Sequence, residues 1–128
     1  MSTELTMLAL SAGLTFVLAF PPVVALMMTK GLVFAAGNRD EPYTLPVWGE
    51  RAGRAYRNML ENFPVFVALV VVVHLSGATN EATALGATLF LWARVAHAVI
   101  YIVGIRYLRT AAFGVSIVGL AMIAMQMF

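Results

Sequence analysis

Four apolar runs organise the chain. The first, "LTMLALSAGLTFVLAFPPVVALMMT" (Leu5 to Thr29), contains no charged residue, and the second, "FPVFVALVVVVHLSG", ends at Gly77 before the polar turn "ATNEA". The third, "TALGATLFLWARVAHAVIYIVGI" (Thr83 to Ile105), is interrupted by Arg94 and His97, and the fourth, "TAAFGVSIVGLAMIAMQMF", reaches Phe128 without a charge. A helix crossing a bilayer needs roughly 20 apolar residues. A barrel would instead alternate apolar and polar positions, a pattern these runs lack. The expected spans are approximately 5–29, 54–77, 82–106 and 110–128, with a helix starting near Ala52. One long polar loop covers 30–51, where glycine, proline, asparagine and charge interrupt any continuous membrane helix. Short connections elsewhere make neighbouring helices antiparallel. The pattern therefore predicts an all-α membrane protein, a single-domain four-transmembrane-helix up-and-down bundle.

Composition sharpens this expectation. The chain is 62% hydrophobic and 11% charged with a mean hydropathy of +0.90, too apolar for a surface facing water. The first run lacks a basic segment ahead of a short apolar core, so it is expected to be a retained span rather than a cleaved signal. There is no cysteine, which excludes disulfides, thiolate metal sites and a cysteine nucleophile, and two histidines make a weak metal set. A net charge of +2, clustered at helix ends, does not point to nucleic acid. Pro21, Pro22 and Pro64 fall inside apolar runs and are expected to kink their helices.

The basic residues are sorted by position. Lys30, Arg39, Arg51, Arg54 and Arg57 lie at the first connection and Arg106 and Arg109 at the third, so seven of eight gather at one end. Basic loops stay cytoplasmic, which predicts that both termini are non-cytoplasmic. His74 has no polar companion and is expected at the opposite interface, while Trp48 and Trp92 are expected in the interfacial aromatic belts.

Two polar stripes interrupt the apolar pattern. At about 100° per residue, Arg51, Arg54, Arg57, Asn58 and Glu61 share about a third of the second helix's circumference. Arg94, His97 and Tyr101 follow at spacings of three and four on the third. Arg94 stands 12 residues before Arg106, about 18 Å along a helix and too deep to reach the surface. A buried guanidinium calls for a carboxylate, and Glu61 is the acidic residue inside an apolar run. The expected arrangement is a Glu61–Arg94 ion pair between the second and third helices, with Asn58 and His97 completing its hydrogen bonds. Polar side chains of this kind commonly do no more than hold membrane helices together. The gathering of so many at one end, with an excess of positive charge, instead suits a small anion bearing carboxylates, which arginine matches in a bidentate fork.

The segment "ERAGRAYRNMLENFPVF" resembles the signature entering the second helix of the MAPEG family, the membrane-associated proteins in eicosanoid and glutathione metabolism, and "RVAHAVIYIVGIRYLRT" is similar to the family's third-helix segment. The resemblance implies a homotrimer that binds glutathione between adjacent protomers, open to the cytoplasm, in a membrane that for the compact bacterial members is the inner one. It implies that Arg57, Asn58, Glu61, His97 and Tyr101 hold glutathione, that Arg54 and Arg94 support them, and that Arg109 and Thr110 stand beside the sulfur as the catalytic pair. The chain departs from the prostaglandin-synthesising members in a shorter segment between Arg106 and Arg109, in Phe113 where they carry a tyrosine, and in lacking their first-helix arginine, near which Lys30 falls.

The sequence admits three functions. One is a glutathione-dependent transferase or peroxidase acting on lipophilic electrophiles, with glutathione, a lipophilic small molecule and membrane lipids as partners. Another is a non-catalytic membrane binding or scaffold protein of the same family. A small multidrug exporter is disfavoured, because such transporters need a membrane-embedded carboxylate on the substrate path and the first span has none after Glu4.

Overall fold

Ser2 opens the first helix by accepting a hydrogen bond from the Leu5 amide (3.3 Å). In the computed structural model, which describes residues Met1–Phe128, this helix, α1 (Thr3–Leu18), ends just before the proline pair. Pro21 and Pro22 occupy the first turn of α2 (Phe20–Lys30), where a missing amide hydrogen is tolerated. The two helices follow one another through Ala19 and together make a candidate membrane span of 28 residues. Gly31, with φ of 87°, ends α2, and a short α3 (Leu32–Ala36) lies within the expected loop.

The next helix, α4 (Val47–Ser76), begins more than a turn before Ala52. Pro46, with φ of −58°, fixes the entering backbone, and Glu50 reaches back to accept the Leu45 amide (3.2 Å). At 30 residues α4 is about 45 Å long, more than the roughly 30 Å of a hydrocarbon layer. Pro64 stands inside α4 without ending it. Asn80 and Thr83 form a reciprocal capping box that starts α5 (Glu81–Val103), and Gly104, with φ of 91°, closes it. Tyr107 adopts φ of 66° in the tight turn before α6 (Leu108–Met125).

α5 is the most enclosed of the spans and packs against α1, α4 and α6. Its small residues allow this. Gly86 on α5 and Gly119 on α6 face one another so closely that a Cβ added to either would lie 2.6 Å from the other's carbonyl oxygen. Phe66 of α4 stacks on Phe90 of α5 with ring centroids 4.1 Å apart, at the centre of a core that includes Met59, Val70, Val73, Leu120 and Ile123.

The two ends of the bundle differ chemically. Both termini and the 77–80 turn share one end. There Thr83 donates to Glu4 Oε1 (2.8 Å) and Asn80 Nδ2 donates to Gln126 Oε1 (2.7 Å), joining α1, α5 and α6. Glu4 is buried in this tie. The seven clustered basic residues occupy the other end. Trp92 corrects another expectation. It stands midway along α5 on the outward side, 61% exposed, rather than at an interface.

Candidate functional site

The candidate side chains come from three helices. The N-terminal half of α4 carries Arg51, Arg54, Arg57, Asn58 and Glu61, α5 brings Arg94, His97 and Tyr101, and the first turn of α6 carries Arg109 and Thr110. Because α4 and α5 are antiparallel neighbours, their stripes meet. A cleft of about 200 Å³ is lined by Arg54, Arg57, Asn58, Glu61, Tyr101 and Arg109, all of them residues singled out in the sequence.

Aromatic and cationic contacts set the walls. The Arg109 guanidinium lies over the Tyr101 ring, 4.6 Å from its centroid, and Arg54 approaches the same ring at 5.9 Å. Tyr101 in turn packs edge-on against His97, with centroids 5.5 Å apart, and Phe113 leans on His97 from α6 at 6.4 Å. Arg57 folds back along its own helix over Gly53. Three guanidiniums, one amide, one carboxylate and one phenol therefore border the cleft, a set matched to a ligand with more than one acidic group and a single cation.

Arg94, His97 and Thr110 do not line this cleft. Arg94 and His97 lie beneath it, 1% and 2% exposed, where they support the wall from inside the bundle. Thr110 is exposed at the first turn of α6.

The expected Glu61–Arg94 pair is absent. Arg94 Nη2 donates to Asn58 Oδ1 (2.6 Å), while its Nε and Nη1 have no hydrogen-bond partner, and Nδ1 of His97 is likewise unpaired. Glu61 points outward and is exposed. The reason is angular. Asn58 and Glu61 are three residues apart and so differ by about 60° around α4. Asn58 faces α5, which turns Glu61 towards the outer surface of the bundle.

One participant escaped the sequence reading. Asn62 donates from Nδ2 to the Asn58 carbonyl (2.8 Å) and lies 3.4 Å from Asn58 Oδ1, so it braces the side chain that holds Arg94. Its spacing of one helical turn from Asn58 was the available signal. Arg51 was placed on the polar stripe and among the basic residues of that end, but its contact was not foreseen: its Nη1 donates to the Val103 carbonyl (3.4 Å) at the end of α5.

No curated protein matches the chain in direct sequence comparison. A family model, described as the MAPEG family, does match it, over residues 5–128. That match covers nearly the full length and includes both helices whose polar stripes meet at the cleft, and the chain accordingly belongs to the MAPEG family.

Proposed function

We propose that the protein is a glutathione-dependent transferase or peroxidase acting on lipophilic electrophiles in the membrane, and that it works as a homotrimer with its cleft open to the cytoplasm. The observation that carries this is the cleft itself, where Arg54, Arg57, Asn58, Glu61, Tyr101 and Arg109 converge. Glutathione carries two carboxylates and one ammonium group. Arg54 and Arg57 suit the carboxylates, Glu61 suits the ammonium, and Asn58 and Tyr101 supply neutral hydrogen bonds. Arg109, placed beside the thiol, favours its ionised form and so raises the fraction of nucleophilic thiolate without any protein nucleophile. In conjugation the thiolate forms the sulfur–carbon bond as the leaving group departs with its electron pair. In peroxide reduction two glutathione thiols supply two electrons and two protons, yielding glutathione disulfide, an alcohol and water.

Two features support assembly. At about 200 Å³ the cleft is smaller than the roughly 300 Å³ at which small-molecule pockets begin, so a second protomer laid against it would deepen it. Glu61 is exposed 15 residues before Ser76, the last residue of α4, about 22 Å from that end and within a layer of about 30 Å. A carboxylate facing lipid at that depth is costly, and a neighbouring protomer would cover it.

The test is glutathione binding by the purified protein in detergent, with thiolate formation followed by its ultraviolet absorbance. Arg57→Ala is expected to weaken binding at least tenfold, since a charge-assisted hydrogen bond contributes about 1.5–3 kcal/mol. Arg109→Ala is expected to reduce the thiolate signal more than the binding. No binding to the wild-type protein at millimolar glutathione would overturn the proposal, and binding without turnover across a broad panel of electrophiles would favour the scaffold function.

A further inference from the structure

Beside the cleft lies a second depression of about 190 Å³ with a different chemistry. Arg51, Arg54, Arg106 and Arg109 border it together with Tyr101 and the backbone at Gly104 and Ile105, and no carboxylate does. The cleft has Glu61 to answer a cation, whereas here four guanidiniums face a small space with nothing to balance them. Their mutual repulsion is relieved by an anion. Arg54 and Arg109 belong to both concavities, but Arg51 and Arg106 border the second alone.

Arg51 is set in place by the backbone. Gly104 has φ of 91°, and a Cβ there would overlap the Arg51 guanidinium, so glycine both ends α5 and leaves room for the arginine to lie across it. One N–H of the fork is used by the Val103 carbonyl at the negative end of the α5 dipole. The remaining donors of a planar fork suit the oxygens of a phosphate or carboxylate. Sorting of positive charge to one side of a membrane accounts for arginines at this end. It does not account for their convergence around one acid-free depression, nor for the glycine that seats Arg51.

The rim identifies the kind of anion. The depression sits where α5 gives way to the turn before α6; Ile105 lines it, and Ile105 with Val103 and Leu108, which flank the lining residues in sequence, are 48%, 64% and 48% exposed. An apolar rim next to a cationic floor, at the end of a membrane-spanning helix, fits an amphiphile better than a free ion. We propose that this depression binds the oxyanion headgroup, phosphate or carboxylate, of a membrane amphiphile whose chain lies along Val103, Ile105 and Leu108. The site requires no glutathione and stands whether or not the neighbouring cleft binds it.

The experiment is a titration of the purified full-length protein in neutral detergent with dioleoyl phosphatidylglycerol, reading retained lipid by native mass spectrometry. Dioleoyl phosphatidylcholine and inorganic phosphate serve as the comparison arms. Phosphatidylglycerol is expected to be retained in preference to phosphatidylcholine, and its affinity to fall about tenfold in Arg51→Gln/Arg106→Gln. A charge-matched control at the same end but outside the depression, Lys30→Gln/Arg39→Gln, is expected to change it by less than about twofold. Because Arg51 also holds the end of α5, the single change Arg106→Gln, at an exposed side chain, is expected to weaken binding about threefold without loss of folding. Equal losses in the two double variants, an unchanged affinity in Arg106→Gln, equal retention of the two lipids, or displacement by inorganic phosphate at equimolar concentration would each overturn the proposal.

Discussion

A guanidinium sealed inside a helix bundle with one neutral amide for a partner is an unfavourable arrangement, and Asn58 is what makes it tolerable. Arg94 has a single hydrogen bond, to Asn58 Oδ1, with two of its nitrogens unpaired. Removing that acceptor leaves a buried charge with no partner at all. Asn58→Ala is therefore expected to lower stability by about 1–3 kcal/mol or more, read as a fall in the melting temperature of the detergent-solubilised protein. Asn58→Asp, which places a carboxylate at the same distance, is expected to keep or raise stability. Arg94→Met in the Asn58→Ala background is expected to recover part of the loss, because it removes the uncompensated charge. If Asn58→Ala melts with the wild type, Asn58 does not hold Arg94. The failure of the expected ion pair belongs to this scale. Spacing along a helix shows which residues share a stripe, but the stripe here spans about a third of the circumference, and only the direction in which α5 lies decides which edge of it is buried.

Helices meet through the glycines that permit contact, and the two kinds of glycine in α5 and α6 should behave oppositely. Gly86 and Gly119 face each other's carbonyl oxygen at 2.6 Å from an added Cβ, and backbone cannot move aside cheaply. Gly86→Val is expected to force α5 and α6 apart at a cost of about 3 kcal/mol, with a matching fall in melting temperature. Gly114 has nothing within 4 Å of its added Cβ. Gly114→Ala is accordingly expected to be neutral or to stabilise by up to about 1 kcal/mol, through better helix propensity. Equal effects of the two substitutions would show that the α5–α6 contact is not close-packed. The small residues of both spans were visible in the sequence. Which of them touch was not, because Gly86, Gly114 and Gly119 are alike in composition and differ only in what lies across from them.

For the whole molecule, charge distribution and surface exposure make separate predictions. Seven of the eight basic residues share one end, so a reporter fused after Phe128 is expected to report a non-cytoplasmic C-terminus. A cytoplasmic signal would reverse the orientation. Glu61 and Trp92 are exposed along membrane-spanning helices, which predicts that they become buried on assembly. Cross-linking in native membranes is expected to trap species up to a trimer, and Glu61→Lys, which would place another positive charge beside Arg54 and Arg57, is expected to reduce them. A monomer in both preparations would sink the assembly proposal.

The membrane class, the number of spans, the gathering of positive charge and the composition of the polar stripes were fixed by the order of residues alone. Each depends on local sums, namely hydropathy over about 20 residues and angular spacing along one helix. The long first span was equally legible, but its proline pair was expected only to kink it, whereas the structure divides it into α1 and α2 at Ala19. Relations between helices were not legible. Asn58 was expected beside Arg94 and is there, but its standing as the one partner of Arg94, the burial of Glu4 against Thr83, the outward turn of Glu61 and the seat that Gly104 makes for Arg51 all depend on how rigid cylinders rotate against one another. That rotation is set by packing summed over the core around Phe66 and Phe90, which no single stretch of the chain contains.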